Sequence, residues 1–373
     1  MPISQINTNS IANGAVVAAD LAAGSVVLTG SAVSGVLPQA SGGTGTTTGF
    51  YGFKNRIING DMSISQRFGT SSTTINTAAY TYTLDRWSGF GKSAAGVFTI
   101  QQSTTAPAGF NNSALLTVTT SATPSGSDYY IFRQAIEGNN LQDVNWGTAN
   151  AQAVTLSFWA RSSVTGTFSG ALFSNADSSV YPFTYVISSA NTWTNISISV
   201  PGPTSGSFST GTGNYLNVSP LILGAGQKTT PNAWGTSGIL GSTGATDLIS
   251  TNGATFFLTG VQLEKGSTAT SFDYLPYTTE LQLCQRYFSN GSYTNPGGFI
   301  SGAGVSVYSF LTHKVTMRAT PTVTASSCQS QASGGAVTNR TFNLSGNDAQ
   351  GFATQLATSD PLCYVTYQAN IEL

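Results

Sequence analysis

Two stretches of the chain decide its fold class: Ala153-Val154-Thr155-Leu156-Ser157-Phe158-Trp159-Ala160-Arg161 and Thr255-Phe256-Phe257-Leu258-Thr259-Gly260-Val261-Gln262-Leu263. Both are rich in β-branched and aromatic residues, which predicts β-strands. Residues 97–101, 114–119 and 194–200 have the same character. Clusters of Gly, Asn, Ser and Pro separate these stretches, as expected for turns. The sequence therefore predicts an all-β protein in which residues 49–277 form a central antiparallel β-sandwich, a jelly roll.

One short helix is predicted after the central domain, over residues 279–288. Leu281, Cys284 and Phe288 recur at the spacing of one helical face, and Glu280 lies in the first turn. Strand-like stretches follow the helix up to the end of the sequence. We therefore expect residues 278–373 to form the helix and a smaller C-terminal β-sandwich domain.

Residues 1–48 differ in composition from the rest of the chain, with one charged residue, Asp20, and no aromatic residue. A branched apolar residue recurs about every five positions among Ala and Gly. So sparse a pattern encloses no core in a single copy. The segment is either a disordered leader or an extended element that intertwines with other copies of the chain. In the second interpretation, the oligomer contacts are made by Ile11, Val16, Leu21 and Val26.

Charged residues are rare in this protein. The 373 residues include 13 Lys and Arg and 14 Asp and Glu, 7% in all, with a net charge of −1. Ordinary soluble domains contain roughly 25% charged residues. Nucleic-acid binding depends on a basic surface, so we expect no such partner. No apolar run approaches the ~18 residues of a membrane span, and no basic residue precedes Lys54, so neither membrane insertion nor a secretory signal is predicted.

The residues that usually hold metals or perform catalysis are also few. His313 is the one histidine, and the cysteines stand at three widely spaced positions: Cys284, Cys328 and Cys363. We expect neither a disulfide framework nor a zinc site, and no metal or other cofactor. A serine triad and a phosphate-binding glycine loop are not indicated either. The protein is therefore predicted not to be an enzyme. For the alternative, a glycoside hydrolase, the candidates are two pairs of carboxylates, Asp61 with Asp85 and Glu137 with Asp143.

Four aromatic residues in turn-like contexts are candidates for binding a glycan: Trp146, Tyr181, Trp234 and Tyr293. The C–H face of a sugar stacks on an aromatic ring, and its hydroxyls bind Asn, Gln, Ser and Thr. The same residues are also candidates for anchoring their own loops or packing on a neighbouring subunit.

Several motifs in combination resemble tail fibres and related receptor-binding proteins of tailed bacteriophages. Residues 55–67 with Leu84-Asp85-Arg86-Trp87 resemble the opening of their central domain, and residues 260–274 its closing strand. Residues 155–161 and 193–198 are similar to paired strands of carbohydrate-binding-module jelly rolls. Residues 283–288 and 317–322 resemble parts of the C-terminal fibre domain.

This resemblance implies a homotrimeric structural protein of the virion tail, made in the host cytoplasm. Its N-terminus, residues 1–48, is expected to attach to other tail or baseplate proteins, and its distal part to recognise a host cell-surface glycan. The alternatives are a structural fibre or adaptor without receptor binding, and a tailspike-like polysaccharide depolymerase. Related jelly rolls often hold calcium with acidic residues, but here only Asp61 is suitable, since Gly260 and Gln262 stand where acids are expected.

Overall fold

The computed structural model describes residues 53–174, 176–208, 210–296, 307–331, 337–339, 342–348, 350–356 and 362–373. The predicted oligomer contacts Ile11, Val16, Leu21 and Val26 lie outside these residues, so the intertwined N-terminal segment stays a prediction.

The first part of the described chain contains fourteen strands, numbered in chain order. They are β1 Thr73–Ile75, β2 Thr81–Tyr82, β3 Trp87–Gly91, β4 Val97–Ser103, β5 Ser113–Thr120, β6 Tyr129–Glu137, β7 Val154–Ser162, β8 Gly166–Phe173, β9 Val180–Ile187, β10 Thr194–Val200, β11 Asn214–Ala225, β12 Lys228–Thr229, β13 Gly241–Ser242 and β14 Thr255–Lys265. Short 3₁₀ turns lie at Gly138–Asn140, Gln142–Val144 and Leu248–Ser250.

Twelve of these strands form two antiparallel sheets of six strands each. One has the order β1-β4-β5-β14-β7-β10 and the other the order β2-β3-β6-β11-β8-β9. The two stretches that decide the fold class, β7 and β14, are neighbours in the first sheet, where Leu258 lies opposite Ala160. The remaining strands, β12 and β13, form a small parallel pair.

The core lies between the two sheets. In β4, Phe98 and Ile100 are fully buried, whereas the residues between and beside them are half-buried. This two-residue period is that of a strand with one face toward the core. Large rings from both sheets meet in the core, for example Phe168 of β8 and Phe256 of β14, whose centroids are 5.5 Å apart. The prediction of an all-β fold with a central antiparallel sandwich is confirmed.

The helix α1 spans Tyr277–Gln285. It begins two residues before the predicted start, and the carbonyl of Pro276 accepts the first turn's N–H groups, from Thr279 and Glu280. It ends before Phe288, which instead opens the next strand and pairs with Asn370. A helix of nine residues is too short to cross a membrane, and no other described helix is long and apolar enough to do so.

Two smaller antiparallel sheets follow α1. The strands are β15 Phe288–Pro296, β16 Val307–Thr312, β17 Thr322–Gln331, β18 Val337–Asn339, β19 Phe342–Asn347, β20 Gly351–Leu356 and β21 Leu362–Asn370. They pair in the orders β15-β21-β17-β18 and β16-β20-β19. Leu311 of the second sheet packs against a buried cluster that consists of Met317 and three residues of the first sheet, Val323, Tyr367 and Ala369. The expected smaller C-terminal β-sandwich is therefore present.

A separate apolar cluster joins α1 to the opening segment of the central sandwich. Cys284 and Tyr287 pack with Ile58 and Ile64, and all four are buried. The C-terminal residue Leu373 packs on the same cluster. The segment boundaries 1–48, 49–277 and 278–373 stay predictions, because these contacts make no division at residue 278.

Candidate aromatic groove

The four aromatic candidates lie in different parts of the chain. Trp146 follows a 3₁₀ turn, where Asn145 has a left-handed backbone that redirects the chain. Tyr181 belongs to β9, and Trp234 to the segment between β12 and β13. Tyr293 is in β15, but its side chain lies outside the described residues. Its role in glycan binding stays a prediction.

The structure brings three of the candidates together. The ring of Trp234 lies 5.3 Å from that of Trp146, edge to face, and 5.5 Å from that of Tyr181. Phe208 and Tyr215, which were not among the predicted glycan-binding residues, complete the cluster. Phe208 lies 5.6 Å from Trp146, and Tyr215 lies 5.1 Å from Phe208. Edge-to-face pairs of this kind stabilise a fixed arrangement of rings.

The rings of this cluster differ in exposure. Trp146 and Tyr181 are 5% and 4% exposed, and Tyr215 is also buried. Burial raises the pKa of Tyr215 to about 12 and also raises the pKa of Tyr181. Their hydroxyls therefore stay protonated at neutral pH. Trp234 is half-buried and is the ring that borders an open groove.

We call this the Trp234 groove: it has a volume of about 320 Å³ and is lined by Ser179, residues 201–206 and residues 234–236. Ligand pockets in proteins usually have volumes of ~300–1,000 Å³. The indole N–H of Trp234 donates to the carbonyl of Pro201 across the groove, at 2.7 Å. The polar edge of the indole is thus already bonded, and its carbon face is what the ring can offer to a ligand.

Both walls of the groove are fixed by backbone hydrogen bonds. Val180 and Gly235 exchange two bonds, of 2.7 and 2.9 Å, which attach the Trp234 segment to β9. On the other wall, the N–H of Gly147 donates to the carbonyl of Pro203 at 2.9 Å. Gly206 has a φ of +110°, which favours glycine. The groove is therefore largely formed before any ligand arrives.

One carboxylate lies beside the groove. Asp177 accepts hydrogen bonds from the backbone N–H of Ser179 at 3.0 Å and of Ser207 at 2.6 Å. Burial tends to raise the pKa of Asp177, but the hydrogen bonds from Ser207 and Ser179 outweigh it and hold this pKa below its usual value. Asp177 therefore carries a negative charge at neutral pH.

Of the carboxylates considered for glycoside hydrolysis, Glu137 and Asp143 are both held in ion pairs. Glu137 is 1% exposed and its Oε2 lies 3.1 Å from Arg286. Asp143 pairs with Arg56 at 2.9 Å. Neither carboxylate lines the Trp234 groove.

Asp61, the acid considered for calcium binding, accepts a hydrogen bond from the backbone N–H of Ser63 at 3.2 Å. Within the part of the chain that the structure describes, no three His, Cys, Asp or Glu side chains come together as a metal site.

The sequence gives little indication that Phe208 and the loop 201–206 belong to the candidate site. The loop reads Pro-Gly-Pro-Thr-Ser-Gly directly after the strand-like stretch 194–200, a composition typical of a turn. Nothing in that composition indicates which aromatic residues the loop will meet.

The fold defines the protein as one built on a two-sheet antiparallel β-sandwich with an aromatic groove. No protein-family model and no curated protein matches the chain. Among solved structures, it is similar to the enzymatically active domain of bacteriophage CBA120 tailspike protein 4, with a TM-score of 0.29 and 15% identity over 57% of this chain. The chain spans about a fifth of that protein, 21% of its length.

Two carbohydrate-binding modules are similar to a comparable degree. One is the family 11 module from Clostridium thermocellum, in complex with a β-1,3-1,4-mixed-linked tetrasaccharide, with a TM-score of 0.29 and 9% identity over 49% of this chain and 91% of that one. The other is a xylan-binding domain of module family 22, with a TM-score of 0.29 and 10% identity over 52% of this chain and 99% of that one. Similarities this distant carry no inference about function, which has to come from the site itself.

Proposed function

We propose that this protein recognises a glycan through the Trp234 groove and does not process it enzymatically. The observation that carries the proposal is the half-buried indole of Trp234, whose N–H is bonded to Pro201 and which borders a preformed groove. A ring held in this way offers its carbon face, and an apolar face is what the C–H side of a sugar packs against.

The polar groups around the ring suit the rest of a sugar. Ser179, Thr204, Ser205 and Thr236 line the groove together with backbone groups. Hydroxyls and peptide groups both donate and accept hydrogen bonds, as sugar hydroxyls do. Trp146 and Tyr181 support the groove from behind rather than contacting the ligand, since both are buried against Trp234.

We further propose that the protein acts as a homotrimeric tail fibre of a bacteriophage, located in the virion tail and attached through residues 1–48. The motifs that resemble those of tail fibres and the branched apolar residues that recur in residues 1–48 support this proposal. Three copies would display three grooves, and multivalency can strengthen weak contacts ~10²–10⁴-fold when the geometry allows simultaneous binding. Light scattering of the purified protein should give the mass of three chains, and a stable monomer would contradict the trimer.

The glycan proposal is tested by binding labelled protein to an array of bacterial surface polysaccharides, with and without periodate oxidation. We expect periodate-sensitive binding that falls at least ~10-fold in Trp234→Ala, the factor that corresponds to a loss of 1.4 kcal/mol. Trp193→Ala is the matched control, because Trp193 is also half-buried but contacts Phe257 on the outer face of the sandwich. Equal loss in both variants, or binding that resists periodate, would contradict the proposal.

The same polysaccharides test the absence of enzymatic activity. We expect no new reducing ends on incubation with the wild-type protein. Activity that disappears in Glu137→Gln or Asp143→Asn would instead support a depolymerase.

A further inference from the structure

We infer that the Trp234 groove selects uncharged sugars and rejects sugars that carry carboxylate, sulfate or phosphate groups. This inference rests on the glycan recognition proposed above and adds the chemical class of the ligand. It depends on the charges around the groove rather than on the aromatic ring.

The lining of the groove contains no ionisable side chain. Its side-chain polar groups are the hydroxyls of Ser179, Thr204, Ser205 and Thr236. An anionic sugar is normally held by Arg or Lys, which supply charge-assisted hydrogen bonds. No lysine or arginine lines this groove, so an anion entering it would lose its hydration without a cationic partner.

A negative charge, that of Asp177, lies beside the groove. A methyl group built on Gly206 would lie 2.8 Å from Oδ2 of Asp177, so this carboxylate stands directly behind the loop that lines the groove. Ser179, on the opposite wall, donates its N–H to the same carboxylate. Asp177 thus touches both walls, and the two backbone bonds fix its position.

None of the ion pairs in the described part of the chain includes Asp177. Asp177 is half-buried, so water does not fully screen its field at the groove. A like charge on the ligand is repelled by Asp177. A neutral sugar is not, and its hydroxyls find acceptors in the backbone and in the side chains of the groove.

The test uses matched pairs of polysaccharides that differ in charge alone: polygalacturonate and its methyl ester, and a sulfated galactan and its desulfated form. In 50 mM salt, we expect wild-type protein to bind the neutral member of a recognised pair at least ~10-fold more tightly, the factor given by 1.4 kcal/mol of repulsion. The ratio of the affinity for the neutral member to the affinity for the charged member should fall to about threefold or less in Asp177→Asn, because this variant lacks the repelling charge. Asp348→Asn is the control and should keep this ratio, because Asp348 also accepts two backbone N–H groups, from Gln350 and Gly351, but does not line the groove.

A second measurement uses the wild-type protein alone. Raising the salt concentration to 500 mM should lower the neutral-to-charged affinity ratio of the wild-type protein, since salt screens exposed charges. The inference is overturned if the charged member binds as tightly as the neutral one, or if the ratio is unchanged both in Asp177→Asn and at high salt. If no pair shows binding that depends on Trp234, the proposed function itself fails, which is a different result from binding without charge selection.

Discussion

Glu372 forms an ion pair with Arg86, 286 positions earlier in the chain, and both side chains are almost completely buried, at 3% and 1% exposure. Arg67 also contacts Glu372, at 3.2 Å. The guanidinium of Arg86 stacks on the ring of Tyr287, 3.4 Å from its centroid. These contacts attach the last residues of the chain to the central sandwich.

Glu372→Gln should therefore destabilise the protein strongly. Removing one member of a buried ion pair leaves an uncompensated charge and typically costs ~3–5 kcal/mol. Denaturant unfolding would measure the change in the free energy of unfolding. Asp143→Asn is the control, since it removes partly exposed pairs with Arg56 and Lys265 that are expected to contribute less than ~1 kcal/mol. Similar losses in both variants would show that the buried pair has no special role.

Trp146→Ala should lower stability far more than Trp234→Ala does. Trp146 is buried and donates its indole N–H to Gln152 at 2.7 Å. Truncating a buried tryptophan costs ~3–5 kcal/mol. Trp234 is half-buried, so its truncation should cost less. Thermal unfolding of both variants, compared with their glycan binding, separates support of the groove from contact with the ligand. A Trp146→Ala protein of unchanged stability would contradict this division.

Gly60→Ala should disturb the contact between the opening segment and the closing strand β14. A methyl group on Gly60 would lie 2.2 Å from the carbonyl oxygen of Val261, which is backbone and cannot move aside alone. Overpacking of this kind costs ~1–3 kcal/mol. Gly235→Ala adds the same methyl group where no atom lies within 4 Å, and its free energy of unfolding should change by less than ~0.5 kcal/mol. Equal effects of the two substitutions would refute the steric explanation.

Glu280 should make the stability depend on pH between about 4.5 and 7. Burial, together with the nearby charges of Asp61 and Asp273, raises the pKa of Glu280 from 4.5 to about 7, although the hydrogen bond from the N–H of Asn59 lowers it. The folded state therefore favours the protonated carboxyl. Its stabilising contribution is fully present below the unfolded pKa and is lost as the pH rises through the folded pKa.

In Glu280→Gln, this loss should disappear. Between pH 4.5 and 8, the free energy of unfolding of the wild-type protein should fall by roughly 2–3 kcal/mol more than that of the variant, since one pKa unit corresponds to ~1.4 kcal/mol. Urea unfolding at several pH values would measure both curves. Parallel curves would mean that Glu280 titrates alike in the folded and unfolded chain.

The existence of the helix α1 was predicted correctly from the sequence, but its C-terminal end was not. The spacing of Leu281 and Cys284 correctly indicated a helix, but its predicted face extended to Phe288. In the structure, Phe288 pairs with Asn370 and begins β15. A partner in β21 cannot be read from the local spacing of residues 279–288. At Phe288, the pairing of two strands that are distant in sequence therefore overrides the local helical pattern.

The sequence by itself determined the fold class and the strands, because the alternation of apolar residues such as Phe98 and Ile100 is a local property of the chain with the two-residue period of a pleated strand. The sequence also indicated Trp146, Tyr181 and Trp234 as candidates for binding a glycan, because they are aromatic residues in turn-like contexts. Only the tertiary structure decided that Trp146 and Tyr181 are buried while Trp234 borders the groove with Asp177 behind it. Burial depends on which distant loops meet, and here loop 201–206 meets residues 234–236, a proximity that no local pattern encodes.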